Sequence, residues 1–410
     1  MRMKFNKSSH LLLVSAASLL AAGVMTACGT LTTDFVYVAS SKAAGTYNYG
    51  EIDVFEINSV SGVMRQIPTS PFPSGGRNPV AEAVSSDNAN LYVVNQDDNS
   101  IVQFMIGSDG KLYPQSTVNT PGIYPLAVAV NGSNLFILDT YQPLATCSNA
   151  EPCSGSVGVF PIEPASGSGS TAVASGALGT PVTNTSNSAS YWPLSITGKS
   201  SDVFVPTAIN VLKSGAYVYV AAYDTTVTPN VGYVFGFSVG SGGALKSVGS
   251  FPAGTHPSAI ASDSTSTFVY VTDYTNGDVR AYSVASGALT ELAGSPFPAG
   301  NQPSAIVADT KYPFLYVANA LDGTVSAYSI GSSGTLTSIG TYATGVQPVA
   351  IGIDPSTYHF LFTVNFLSAN VSDFELSTTT GTLINTQHSP YTANAQPTAV
   401  AAIPHGSSHK

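Results

Sequence analysis

The sequence predicts an all-β chain folded as a seven-bladed β-propeller of four-stranded antiparallel blades, and three observations predict it. The first is a Pro-x-Ala followed by an apolar strand: "PVAEAVS" from Pro79, "PLAVAVN" from Pro125, "PTAINVL" from Pro206, "PSAIASD" from Pro257, "PSAIVAD" from Pro303, "PVAIGID" from Pro348 and "PTAVAAI" from Pro397. The second is a companion strand, rich in β-branched and aromatic residues, after each of the first six. These are "LYVVN" at Leu91, "LFILD" at Leu135, "YVYVAA" at Tyr217, "FVYVTD" at Phe268, "FLYVAN" at Phe314 and "FLFTVN" at Phe360, and a seventh copy, "FVYVAS", stands far upstream at Phe35. The third is the phase. The repeat opens on a second strand and ends on a first one, so "PTAVAAI" lacks a companion unless it pairs with "FVYVAS". That pairing joins both ends in one blade and leaves neither fragment with an open edge.

Successive prolines stand 46, 81, 51, 46, 45 and 49 residues apart, and four short strands in roughly 40–50 residues is the spacing of propeller blades. Each second strand leads through a turn into a third, as in "NGDVRAYSV" and "DGTVSAYSI". Asn276-Gly277 and Asp322-Gly323 accept the positive dihedrals of a tight hairpin. A weaker fourth segment ("LTELAGSPF", "LKSVGSF", "LTSIGTY") leads to the next proline. The alanine two places after each proline (Ala81, Ala127, Ala208, Ala259, Ala305, Ala350, Ala399) is expected to pack where inner strands crowd the axis. A Val or Ile follows it in six copies; in the seventh the place holds Glu82.

The propeller is bounded at 35–404, with a tether at 28–34 and a tail at 405–410. One unit is longer than the rest, with an insertion at about 140–202 that carries Cys147, Cys153 and a Gly/Ser/Thr-rich stretch around Trp192. In "CSNAEPC" the two cysteines read as a local disulfide, with a metal pair as the alternative.

Residues 1–27 read as an export signal: Arg2, Lys4 and Lys7 precede an apolar run from Leu11 to Val24 that is short for a membrane span. "MTAC" resembles a bacterial lipobox, which implies lipidation at Cys28 and a cell-envelope address. Gly29 after the cysteine points to the outer membrane. Simple secretion or an uncleaved anchor are the alternatives. Loss of the signal leaves 10 basic against 23 acidic residues, a balance that argues against nucleic acid and against electrostatic steering to a membrane. The membrane partner is then reached through the lipid, and a monomer is expected.

Connections that lead into inner strands share a face with the hairpins between second and third strands. The residues before the prolines therefore ring one mouth of the axial channel: Asn78, Tyr124, Val205, His256, Gln302, Gln347 and Gln396. This mouth is the expected binding site for a small neutral ligand or a protein partner. A second ring closes each second strand: Ser40, Asn95, Asp139, Ala222, Asp273, Asn319 and Asn365, where Asn and Asp are expected to bind their own turns. Glu82 and His256 are the candidate catalytic groups. A buried carboxyl is poised as an acid or base when its pKa rises, and histidine serves as a base near neutrality. An ion pair of Glu82 with Arg77 or Arg280 is the structural rival. Arg77 could hold an anion. No cofactor and no metal are expected, since phosphate loops, HExxH and Ser-His-Asp arrangements are missing.

The repeat "FVYVTD…NGDVRAYSV…G…P" resembles the YVTN-type propeller repeat. From Phe35 to Pro404, with "SPFPSG" at Ser70 and "SPFPAG" at Ser295, the chain is similar to the seven-bladed lactonase-type propellers related to 6-phosphogluconolactonase and the muconate cycloisomerase propellers. The resemblance implies Arg and His directly after the inner-strand prolines of enzymatic members. Here those places hold pairs such as Val80-Ala81, Leu126-Ala127, Thr207-Ala208 and Ser258-Ala259. With three arginines beyond the signal, Arg65, Arg77 and Arg280, a phosphorylated sugar is not the expected substrate. The reading is a binding or interaction scaffold; the alternative is an exported lactonase-type hydrolase of unphosphorylated lactones using Glu82 or His256.

Overall fold

A computed structural model describes residues 32–58, 60–147, 152–166 and 175–404, so Cys28, the leader and the tail lie outside the described residues. The strands form seven sheets arranged as seven blades. In blade 1 the inner strand is Pro397–Pro404, followed outward by Thr32–Ala44, Tyr49–Asn58 and Met64–Gln66. The inner strands of blades 2 to 7 are Pro79–Val84, Ile123–Asn131, Phe204–Val211, Pro257–Ser262, Pro303–Ala308 and Pro348–Ile353. The expected closure is present: Phe35 pairs with Ile403, Tyr37 with Ala401 and Ala39 with Ala399, antiparallel.

Second strands are apolar on both sides because each faces two neighbours. In blade 1, Phe35 and Tyr37 enter the core shared with blade 2, while Val36 and Val38 enter the core shared with blade 7. The period of two along a strand thus sends alternate residues to different blade boundaries.

The recurring tyrosine of the second strand has a specific job. Tyr37, Tyr92, Tyr219, Tyr270 and Tyr316 are buried, and their hydroxyls donate to the carbonyls of Gly110, Gly176, Gly287, Gly334 and Gly381 in the next blade, at 3.2, 2.7, 2.9, 2.9 and 3.1 Å. Each acceptor glycine closes an outer hairpin with φ between +71° and +84°, a conformation that suits glycine best. Blades 3 and 7 carry Phe136 and Phe362 instead. Tyr270→Phe should therefore fit sterically yet leave the Gly334 carbonyl unpaired. The expected loss is about 1–3 kcal/mol, read as a lower urea midpoint at unchanged slope.

Two local features differ from a plain reading of the repeat. In every blade the register skips one residue between proline and alanine. The bulged residue is Thr398, Val80, Leu126, Thr207, Ser258, Ser304 or Val349, and a bulge turns its side chain out of the ladder. Three of the hydroxyls lock neighbouring blades: Ser258 donates to Pro303 O at 2.5 Å, Ser304 to Pro348 O at 2.6 Å and Thr398 to Pro79 O at 2.8 Å. The second feature is an outer strand broken in blades 1, 3, 5 and 7, and in blades 1, 5 and 7 the break carries cis bonds at Ser70-Pro71, Ser295-Pro296 and Ser389-Pro390. There the serine hydroxyl accepts from the third-strand amides of Val54, Ala281 and Asp373 at 2.9, 3.2 and 2.9 Å. It replaces the ladder acceptor that the break removes.

The insertion belongs to blade 3. Cys147 and Cys153 form a disulfide with Cα atoms 5.5 Å apart, which excludes the metal-pair alternative. Trp192-Pro193 returns to pair with the third strand of the same blade at Ser156 and Val157.

Candidate functional site

The residues before the prolines do form a ring. Their carbonyls accept from the chain just beyond each second strand: Ser41 N to Gln396 O, Gln96 N to Asn78 O, Tyr274 N to His256 O, Ala320 N to Gln302 O and Phe366 N to Gln347 O, all at 2.8–3.0 Å. Val205 pairs with Tyr223, and the Thr140 hydroxyl donates to Tyr124 O at 2.7 Å. The mouth is therefore a double ring, one position before each proline and one after each second strand.

Five of the seven inner positions have left-handed backbone: Asn78, Tyr124, Gln302, Gln347 and Gln396, with φ from +54° to +61°. Such a conformation is costly for an L residue and persists only where the surroundings enforce it. The proline bulge that follows occurs in all seven blades, and Val205 and His256 meet it without positive φ, so the bulge alone does not enforce that backbone.

The mouth has two chemically different arcs. Across blades 3 to 5 it is aromatic. Tyr124 meets Tyr141 edge-on at 6.1 Å, Tyr223 meets the His256 ring at 4.1 Å, and His256 meets Tyr274 at 5.4 Å. Across blades 6, 7 and 1 it presents Gln302, Gln347 and Gln396, whose side-chain amides hydrogen-bond to nothing among the described residues. Blade 2 is self-satisfied: Asn78 Nδ2 donates to Gln96 and Asp97 at 3.2 and 3.1 Å, and Arg77 binds Asp98 through Nε at 2.7 Å. Tyr141, Tyr223 and Tyr274 were not singled out from the sequence. The signal was available, since all three lie one or two residues beyond a second strand.

The second ring is structural, but its bonds reach the loop before the proline more than the expected own turn, which Asp273 meets at the Thr275 and Asn276 amides. Asp139 accepts from Gly122 N at 2.9 Å, Asp273 from Thr255 N at 2.5 Å and Asn319 from Gly300 N at 3.0 Å. All three are buried. Burial pushes the Asp139 carboxyl up to about 7. No group of three or more His, Cys, Asp or Glu suited to a metal occurs among the described residues.

Glu82, His256 and Arg77 do not converge. Glu82 stands in blade 2 beside the Ala401 amide of blade 1, with both carboxylate oxygens buried and neither in a hydrogen bond of ordinary geometry. Burial pushes it up to about 8. The ion pair weighed as its rival is absent: Arg77 is held by Asp98 and Arg280 by Glu291, at 2.5 and 2.9 Å. The two cations are thus spent elsewhere, and Glu82 avoids an unpaired charge by staying protonated. His256 lies three blades away, half-buried between two tyrosines. Burial lowers its pKa, offset in part by Asp273, so the ring is neutral near pH 7. The third arginine, Arg65, pairs with Glu56.

At the opposite end of the channel, inner-strand ends of blades 3 to 6 border an open hollow of about 520 Å³ lined by Val130, Val211, Ile260 and Val307 together with Asn131, Asn210, Lys213 and Asp263. Nothing in the repeat announced it.

Comparison with known proteins agrees with this architecture. A family model described as "Lactonase, 7-bladed beta-propeller" matches residues 289–401. Comparison with curated proteins gives no match. Among solved structures, a Bacteroides fragilis protein named as a candidate 6-phosphogluconolactonase is similar at 18% identity and TM-score 0.67, covering 91% of this chain and 99% of its own. The periplasmic gluconolactonase of Pseudomonas aeruginosa is similar at 17% identity and TM-score 0.68, with 91% and 99% covered. At such identities the likeness establishes fold, not activity. The chain is thus a seven-bladed all-β propeller, sealed by its own ends, whose residues 289–401 match the lactonase-type seven-bladed family.

Proposed function

We propose that this chain is an exported, lipid-anchored propeller that binds an uncharged polar ligand at the mouth ringed by the prolines. The observation that carries the reading is the pairing of three unpartnered glutamine amides with a facing aromatic arc. Amides supply donors and acceptors to hydroxyls or carbonyls, while tyrosine faces cover the apolar side of a small ring. The three arginines among the described residues are all committed to carboxylates, which leaves none of them for a phosphate. The periplasmic address of the Pseudomonas relative supports export, and "MTAC" supports the anchor at Cys28.

Calorimetry on the signal-less chain tests it. Neutral sugars and lactones should bind more tightly than their phosphorylated counterparts. Gln302→Ala with Gln347→Ala should weaken binding about 10-fold or more, at ~0.5–1.5 kcal/mol for each hydrogen bond lost. Equal or tighter binding of the phosphorylated forms would sink the proposal. The hydrolase reading keeps one favourable observation, a neutral His256 at the mouth. Lactone turnover that disappears in His256→Ala would replace the scaffold with an enzyme.

A further inference from the structure

We infer that the protein sits with its turn face, the face of the hairpins between inner and second strands, against the bilayer that holds its anchor, and that the proline-ringed mouth points away from it. The inference rests on lipidation at Cys28, proposed above, and adds which surface the membrane meets. It follows first from strand direction. Inner strands start at the prolines, so the proline face is where Pro397 pairs with Ser40. The antiparallel partner Thr32–Ala44 therefore starts at the other face, where Asp34 pairs with Pro404. Only three residues separate Cys28 from Thr32. Four steps of extended chain span at most about 14 Å, so the blade 1 edge of the turn face stays at the headgroup region while the lipid is inserted. A six-residue inner strand then holds the mouth roughly 20 Å further out.

The charges on that face give an independent second argument. Lys111, Lys213, Lys246 and Lys311 all lie in or next to turns of this face, whereas of the other described lysines Lys42 and Lys199 lie towards the mouth. Three acids of these turns are buried against their own backbone, while Asp87 and Glu375 stay exposed on the same face. Asp263 accepts from the Thr267 and Phe268 amides at 2.8 and 2.7 Å, Asp309 from the Lys311 and Tyr312 amides at 2.8 and 3.1 Å, and Asp354 from the amides of its own turn. Asp109 is paired with Lys111. Lys213 and Lys246 carry no carboxylate partner among the described residues, and the Lys311 ammonium sits over the Tyr312 and Tyr358 rings at 5.2 and 5.1 Å. In outer-strand turns of blades 1 and 2 on this face, Val60 is 81% exposed and Tyr113 43%. Exposed lysines with tyrosine and an aliphatic side chain match an anionic headgroup layer.

The test uses the lipidated full chain in vesicles of phosphatidylethanolamine and phosphatidylglycerol that carry headgroup nitroxides. A fluorophore is placed at Ser332→Cys, on the turn face of blade 6, or at Leu321→Cys, on the mouth side of the same blade. Quenching should be at least 3-fold stronger at position 332. Lys213→Gln with Lys311→Gln should narrow that ratio in anionic vesicles and leave it unchanged in zwitterionic ones. Equal quenching at both positions or stronger quenching at 321 would overturn the orientation, and a ratio indifferent to the lysines would overturn the part assigned to their charge. Mass analysis of the N-terminal peptide is read separately. An unmodified Cys28 removes the anchor itself and the orientation with it, while leaving ligand binding at the mouth untouched.

Discussion

Ending the chain after Gln396 should abolish cooperative unfolding, with the truncated protein recovered as aggregate or as a species without a thermal transition. The deleted segment supplies the inner strand of blade 1, whose loss leaves Val36, Tyr37 and Val38 on an open edge although each is 0% exposed in the closed ring. It also empties two cores at once, since Ile403 and Ala401 face blade 2 while Val400 and Ala402 face blade 7. Burying one large aliphatic side chain contributes about 1.5–3 kcal/mol. Losing two of them, a ladder and two blade boundaries exceeds the ~5–15 kcal/mol by which a typical domain is stable. The control is a permutant that joins Pro404 to Thr32 by a short hairpin and opens the chain between Ser332 and Ser333, in an exposed outer turn. It keeps every strand pair and should melt cooperatively by circular dichroism. A truncated chain that melts like the intact one would show that the clasp is dispensable.

The ring, the blade number and the clasp were legible because each depends on pattern: period-two strands, a repeated proline and the phase of the repeat. The geometry of the mouth was half legible. Its inner positions follow from counting back one residue from each proline, but the left-handed backbone at five of them leaves no trace in alternation. The role of the tyrosine in "VYV" was hidden for another reason. Its partner is a glycine carbonyl 64 to 84 residues away in the next blade, and that pairing exists only after blades pack. Glu82 announced itself as a break in a packing column. What could not be read was that both cations able to neutralise it, Arg77 and Arg280, would be taken by nearer acids on their own blades.

That unpaired carboxyl should make the protein distinctly less stable at pH 9 than at pH 5. The folded pKa of Glu82 is raised to about 8 from 4.5, so the folded state holds a proton that the unfolded chain gives up earlier. Stability from this group is fully present below pH 4.5 and is lost as pH rises through 8. The full difference corresponds to about 5 kcal/mol at 1.36 kcal/mol per unit. Asp34 and Asp139, raised to about 7, and Asp373, raised to about 8, act in the same direction through burial. The blade repeat supplies the discriminating variant, because six blades carry Val or Ile where Glu82 stands. Glu82→Val should raise the urea midpoint modestly at pH 5, by removing two unpaired polar atoms, and by much more at pH 9, where it removes a buried charge. The wild-type profile should therefore fall with pH more steeply than that of the variant between about pH 4.5 and 8, and the gap should level off above 8. Parallel profiles would mean that Glu82 ionises freely in the folded ring, and the seam between blades 1 and 2 would then have to admit water or a cation.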